Sequence, residues 1–304
     1  MTLEQLRVFV AVAERQHVTR AAETLNIAQS AVSSSIAALE GRHGAKLFHR
    51  VGRGIELTEA GALFLVEARA VLARAESAEL VLSELGGLKR GALSVYASQT
   101  IASYWLPRHL VAFHRSYPGV AIRLSIGNTS QAAAAVRGGG ADLGFVEGEV
   151  EEPVLISERI ARDQLVIIGA EHPWSEDKGL TKEDLLNVDW VLREPGSGTR
   201  SGFEHALEGL GLSPRNLRVA LELPSNEAVR AAVEAGLGAT AISASVAAPS
   251  IEAGLLRQVD FTLPERYYYV LHHAERYRSR AAETLMDIIR GREPDRDEIA
   301  KRRV

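Results

Sequence analysis

Two short apolar patterns, separated by one turn and followed by a basic hairpin, constrain the fold of this chain more than anything else in it. Residues 18–40 place Ala21, Ala22, Leu25, Ile27, Val32, Ile36 and Leu39 at spacings that bury one face of each of two helices. Asn26 stands between them, a residue type that tolerates the left-handed backbone of a tight helix-to-helix turn. The second helix then exposes Gln29, Ser30, Ser33 and Ser34, short hydrogen-bonding side chains with no acid in the first turns. Such a surface suits the major groove of double-stranded DNA. Paired helices with serine-rich faces also occur in all-α domains that bind nothing, so the pair alone does not decide the matter.

The following segment does. Lys46 to Thr58 alternates apolar and polar residues on either side of Gly52-Arg53-Gly54, the pattern of a two-stranded hairpin. Arg50 and Arg53 fall at its tip, where a wing meets phosphate or the minor groove. Helix pair and wing together predict a winged helix-turn-helix over residues 1–58. Gln29, Ser33 and Ser34 are expected to reach base edges, Ser30 and Arg50 to hold the DNA backbone, and Arg53 to place the wing. A linker helix follows over 59–88, with Thr58 as N-cap and Gly86-Gly87 as its stop. Phe64, Ala68, Val71, Ala75, Ala78, Leu82 and Leu85 step along it as an apolar seam of coiled-coil type. That seam predicts a homodimer through paired linker helices, the alternative being a helix packed on its own domain.

Residues 1 to about 90 resemble the N-terminal region of LysR-type transcriptional regulators. The resemblance rests on Leu3, Leu6 and Phe9, then Ala21-Ala22, Leu25, Gln29, Ala31-Val32-Ser33, Leu39-Glu40, Leu47-Phe48, Arg50 and Leu57-Thr58-Glu59-Ala60-Gly61. Ser30 departs from the family pattern, which has Pro at the start of the recognition helix. Ser34 departs too, where a larger polar or basic residue is frequent.

Charge bears on how DNA would be held. The whole chain carries a formal charge of −4, and residues 1–60 hold seven Arg/Lys against six Asp/Glu. A local basic patch and the pairing of subunits must then supply the affinity. With no cysteine, disulfides, thiolate metal sites and cysteine redox switching are excluded. No leader and no long uncharged apolar run is visible, so a cytoplasmic location without membrane contact is expected.

From about residue 91 the texture becomes strand–loop–helix, repeated. Strands are expected at Leu93–Ala97, Val120–Ile126 and Ala141–Val146, and again at Trp190–Leu192, Leu217–Leu223 and Ala239–Ile242. Repeats of this kind build parallel sheets whose ligands sit beyond the carboxyl ends of the strands. Four polar loops would converge there: Ser98-Gln99-Thr100, Asn128-Thr129-Ser130, Gly196-Ser197-Gly198-Thr199 and Ser225-Asn226. Free amides at helix N-termini favour a small anion, with Arg193 and Arg200 flanking the glycine-rich loop. The expected effector contacts are Ser98, Gln99, Thr100, Asn128, Thr129, Ser197, Gly198, Thr199, Ser225 and Asn226. Each of these residue types also caps helices, which is its commoner role.

This half is similar to the effector domain of LysR-type regulators, a two-lobed α/β fold like that of periplasmic solute-binding proteins. The resemblance implies an effector domain over 89–304, with lobe I at about 89–162 and 267–292 and lobe II at about 163–266. It also implies crossing strands near Arg159–Leu165 and Phe261–Tyr268, a last helix near Arg276–Arg290, and assembly to a homotetramer. The Leu192–Arg200 segment resembles a branch containing regulators of carbon fixation and sulfur assimilation, whose effectors include small anionic metabolites. RNA polymerase is a further candidate partner.

The fold class is thus α/β overall, and the expected function is sequence-specific transcriptional regulation under a small, anionic effector. Two alternatives stand beside it, a cleft-containing enzyme and a ligand-independent nucleoid-type protein. Neither Ser98 nor Ser197 lies in a nucleophile elbow or near a His in sequence, and no Walker loop occurs. No catalytic residue, cofactor or metal is therefore assigned. His172, His272 and His273 are expected to pack or face solvent, Tyr267-Tyr268-Tyr269 to alternate between core and rim, and residues 291–304 to form a solvated tail.

Overall fold

Thr2 starts the first helix by a reciprocal cap: its hydroxyl accepts from the Gln5 amide at 3.2 Å while the Gln5 side chain accepts from the Thr2 amide at 3.0 Å. The computed structural model describes residues 1–51, 54–84, 91–170 and 181–292. Arg53, Leu85, Gly86-Gly87, His172 and the tail from 293 lie outside the described residues, as does the side chain of Leu82. Two compact units result, one from the first 86 residues and one from nearly all the rest.

The first unit runs α1 (Leu3–Arg15), α2 (Val18–Leu25), α3 (Gln29–His43), β1 (Phe48–Val51), β2 (Gly54–Leu57) and α4 (Glu59–Glu84). Asn26 takes the left-handed conformation at φ 54°, and its amide closes α2 onto Ala22 and Glu23. The two strands pair antiparallel, with Phe48 opposite Leu57 and Arg50 opposite Ile55. Ala21, Ala22, Val32 and Leu39 are buried as their spacing predicts, with Leu25 and Ile36 half-buried. Ile27 is not: it is 36% exposed, and it lies in the turn between the end of α2 at Leu25 and the start of α3 at Gln29, in neither helix face.

Thr58 caps α4, its hydroxyl accepting from the Gly61 amide at 3.0 Å and donating to the Lys46 carbonyl at 2.6 Å. The first part of the linker seam packs inside its own unit. Ala68 is buried with Leu6, Phe9 and Leu39, and the Phe64 ring lies 4.9 Å from that of Phe9. The side that stays exposed here carries Leu63 at 69% and Val66 at 56%. Further along, Val71 and Ala78 are exposed and Ala75 is half-buried.

The second unit begins with β3 (Gly91–Ser98), a π-turn at Ile101–Trp105, α5 (Pro107–Ser116), β4 (Val120–Gly127), α6 (Thr129–Gly138), β5 (Leu143–Glu147) and β6 (Leu155–Asp163). It continues through β7 (Leu165–Gly169), β8 (Asp189–Arg193), α7 (Gly198–Gly209), β9 (Arg218–Leu223), α8 (Asn226–Glu234), β10 (Ala239–Ser243), α9 (Ala244–Glu252) and β11 (Arg257–Gln258). Last come β12 (Arg266–His273) and α10 (Arg280–Ile289). The final helix starts at Arg280 because Ser279 caps it, accepting from the Ala282 amide at 3.1 Å; Arg276 instead donates to the carbonyls of Val136 and Arg137.

Two five-stranded sheets form, in the orders β4-β3-β5-β12-β6 and β9-β8-β10-β7-β11. Read side by side, the orders repeat, with four strands running one way in each sheet and one, β12 or β7, running against them. The duplicated plan in the sequence is therefore two lobes of one topology. Each sheet has a separate apolar cluster on either face, which is why β5, β7 and β10 are buried along their whole length. The same covering buries both Tyr268 and Tyr269, one in each cluster, instead of leaving one at a wet rim. One residue, Gln164, separates β6 of the first lobe from β7 of the second, and β12 returns the chain.

Candidate functional site

Two surfaces hold the residues expected to act. On α3, Gln29, Ser30, Ser33 and Ser34 are all exposed, opposite the buried Val32 and Leu39. Ala28 precedes the helix with no side-chain cap, and the Ala31 amide turns back to the Ala28 carbonyl at 3.0 Å. The Gln29 and Ser30 amides are then the donors that can meet an acceptor from outside, such as a phosphate. Arg50 is exposed on β1. One residue that supports this face was not legible from its spacing. Glu40, near the end of α3, is buried and accepts from the Leu47 amide at 2.9 Å, the Phe48 amide at 3.3 Å and Lys46 Nζ at 2.7 Å. It thereby fixes the root of the wing to the recognition helix. Burial pushes its carboxyl up, but the hydrogen bonds from Lys46, Leu47 and Phe48 prevail and hold it below the ordinary value.

The second surface lies between the lobes, at the carboxyl ends of β3, β4, β8 and β9. All four expected loops meet there. Gln99 donates to Glu227 at 2.9 Å and accepts from the Asn226 amide at 2.7 Å. Thr100 accepts from Asn226 Nδ2 at 2.9 Å. Ser130 donates its amide to the Gly196 carbonyl at 3.2 Å, and Asn128 Nδ2 donates to Glu194 at 3.1 Å. Gly198 sits so close to the first lobe that a Cβ there would lie 2.5 Å from Thr129 Oγ1 and 2.6 Å from the Glu147 carbonyl. Gly196 adopts φ 86°, which few other residues accept.

Within this cluster the roles differ. Ser225 caps α8, accepting from the Ala228 amide at 3.0 Å. Thr129 reaches the Glu147 carboxylate at 3.4 Å. Gly198, Thr199 and Asn226 belong to the first turns of α7 and α8 rather than to loops, and Ser98 ends β3. Ser98, Ser197 and Thr199 are buried, and the hydroxyls of Ser98 and Thr199 have no hydrogen-bond partner.

Neither flanking arginine is free. Arg200 bonds Glu204, Glu222 and the Arg193 carbonyl. Arg193, 5% exposed, donates to Asn226 at 2.5 Å and to both oxygens of Glu194 at 2.8 and 3.0 Å. Burial raises the Glu194 carboxyl, yet the bonds from Arg193 and Asn128 lower it overall, so it is ionised at neutral pH. A cavity of about 260 Å³ opens beside this group, lined by Gln99, Asn128, Gln131, Arg193 and Glu194 with Ile126, Gly127 and Pro224. Gln131, Glu194 and Pro224 carry no sequence signal that separates them from ordinary loop and helix residues.

His272 Nδ1 lies 3.4 Å from the His273 carbonyl, to which it can only donate, and no group of acids and histidines suited to a metal occurs among the described residues. No helix among them is long and apolar enough to cross a membrane.

Residues 3–62 match the family model for bacterial regulatory helix-turn-helix proteins of the lysR family, and residues 86–293 that for the LysR substrate binding domain. The chain is 36% identical over 289 residues to the uncharacterized HTH-type transcriptional regulator YeiE of Escherichia coli, spanning 94% of this chain and 96% of that one. It is 34% identical over 290 residues to the probable RuBisCO transcriptional regulator of Trichormus variabilis, spanning 93% and 86%. Among solved structures, the regulatory domain of Synechocystis CcmR in complex with 2-PG superposes with a TM-score of 0.60 at 26% identity, covering 66% of this chain and 97% of that one.

Proposed function

This chain belongs to the LysR family of bacterial transcriptional regulators, and from that premise we propose that a small anion held between its two lobes sets its activity on DNA. It is a DNA-binding regulator with an effector-binding domain, not an enzyme. One observation carries the anion reading. Ser98 and Thr199 bury hydroxyls without partners at the same interlobe cluster where α6, α7 and α8 begin. Buried polar atoms are nearly always satisfied, so two orphans in the segments that meet between the lobes are groups open to a ligand's oxygens. Each is next in sequence to, or one turn from, interlobe contacts, and neither itself lines the cavity. Helix N-termini add amide donors and positive potential. The complex of the similar CcmR domain with 2-PG supports the reading.

On the DNA side, Gln29, Ser33 and Ser34 read base edges, Ser30 and Arg50 contact the backbone, and Arg53 places the wing. Domains run as 1–58, 59–88 and 89–304. The chain works in the cytoplasm as a homodimer or homotetramer, with the exposed Leu63 and Val66 of α4 available to a second copy.

The test is a thermal-shift titration of the full chain with phosphate, sulfate, glycolate and malonate, repeated on Ser98→Ala and Thr199→Val. A ligand at a hundred times its dissociation constant stabilises by about 2.7 kcal/mol. Because neither hydroxyl has a partner, the variants should unfold like the wild type without ligand and lose the shift with it. Variants that respond as the wild type does would sink the cleft assignment.

A further inference from the structure

An arginine fork that faces a cavity is the ordinary receptor for a carboxylate or phosphate, and here a carboxylate of the same chain already sits on it. Glu194 places both oxygens on Arg193, at 2.8 Å from Nε and 3.0 Å from Nη2. Nη1 of Arg193 donates to Asn226. The oxygen that accepts from Nη2 also accepts from Asn128 of the opposite lobe at 3.1 Å. All three of Arg193, Asn128 and Glu194 line the cavity of about 260 Å³. That volume is several times the roughly 30 Å³ share of a water molecule, enough for a small oxyanion.

Resting on the anion reading above, we propose that Glu194 is a tethered counter-anion, which occupies the Arg193 and Asn128 donors until an effector anion displaces it. Each paired N–H edge of the planar guanidinium receives one carboxylate or phosphate at a time, and Glu194 holds the Nε–Nη2 edge. Effector and Glu194 therefore compete for the same edge. The Asn128–Glu194 bond joins the lobes, so displacement also breaks a link between them. Charge selects the ligand: a neutral molecule leaves the pair intact, and an anion replaces one carboxylate with another. The ion pair thus sets a threshold for effector concentration, and the Asn128–Glu194 bond beside it contributes one tie between the lobes without ligand.

The decisive experiment is calorimetric titration of the full chain with inorganic phosphate at fixed ionic strength, on the wild type and Glu194→Gln. Glutamine keeps the shape and loses the charge. Charge-assisted hydrogen bonds are about twice as strong as neutral ones, so Glu194→Gln should bind phosphate about tenfold tighter, a difference of about 1.4 kcal/mol. Equal or weaker affinity in the variant, with binding intact in the wild type, overturns the counter-anion and leaves the anion cleft standing. Absence of binding in both overturns both. Should the variant fold poorly, a crystal structure of the wild type with phosphate answers the same question. Arg193 and Glu194 separated beyond hydrogen-bond reach, with phosphate on Arg193, is the expected result; an intact pair overturns the proposal.

Discussion

Truncating Glu40 to Ala should loosen the wing without touching a DNA contact. The carboxylate receives one buried donor, the Leu47 amide, and one part-buried donor, the Phe48 amide. A hydrogen bond to a charged group contributes about 1.5–3 kcal/mol, and a buried amide left without a partner costs about 1–3 kcal/mol. Lys46 adds little, since its side chain is 80% exposed and exposed pairs are worth at most about 1 kcal/mol. Glu40→Ala should therefore destabilise the first unit by about 3 kcal/mol, Glu40→Gln by about half that, and Lys46→Ala by about 0.5 kcal/mol or less. All three tryptophans, at 105, 174 and 190, lie outside the first 86 residues, so fluorescence is blind to this unit. Hydrogen exchange of peptides from α1 to α3 reads it directly. The dependence on pH follows from the lowered carboxyl. A depressed folded-state pKa gives stability that is present above the unfolded value of about 4.3 and is lost as pH falls through the folded value. Protection factors in the wild type, taken relative to intrinsic exchange at each pH, should fall on acidification below about pH 4.3, and Glu40→Gln should lack that component. Equal losses for Ala and Gln, or a larger loss for Lys46→Ala, would refute the strut.

Three further outcomes follow from other sites. Gln29→Ala, on an exposed helix face, should leave folding unchanged and cost about 1–3 kcal/mol at its cognate base pair, read by anisotropy across operator variants. Uniform loss across all operators would reassign Gln29 to backbone contact. At the crossover, Asp163 accepts from Arg266 Nε at 2.6 Å and from Ser243 at 2.7 Å, both charges being buried. Asp163→Ala should cost about 3–5 kcal/mol in urea unfolding followed by tryptophan fluorescence, because it strands Arg266; a loss under 1 kcal/mol would contradict that. Gly238 adopts φ +55°, and a Cβ there would lie 1.9 Å from the Asp189 carbonyl. Gly238→Ala should lower stability by about 2–4 kcal/mol in the same assay, and a neutral result would mean the β8 end yields freely.

Much of this architecture could be read from residue spacing. The two helices around Asn26, the wing, the cap at Thr58 and the duplicated strand–helix plan all follow from local pattern, since backbone conformation depends on neighbours a few positions away. The four polar loops were legible for a related reason: strands of one topology end on one side, so residues after them converge. Their individual roles were not. Ser225 spends its hydroxyl on a helix amide, whereas Ser98 keeps its own without a partner, and both read alike as serines following strands.

Long-range packing made the other choices. Phe64 and Ala68 look like a dimer seam by period, yet the proximity of Phe9 turns them into core. Arg193 and Arg200 look like free anion receptors, yet Glu194, Glu204 and Glu222 already neutralise them. Gln99 meets Glu227 across 128 residues of chain. Period and composition specify which face of an element is apolar and which residues can donate or accept. Which partner each one finds depends on elements brought together from far along the chain, and only their packing sets those distances.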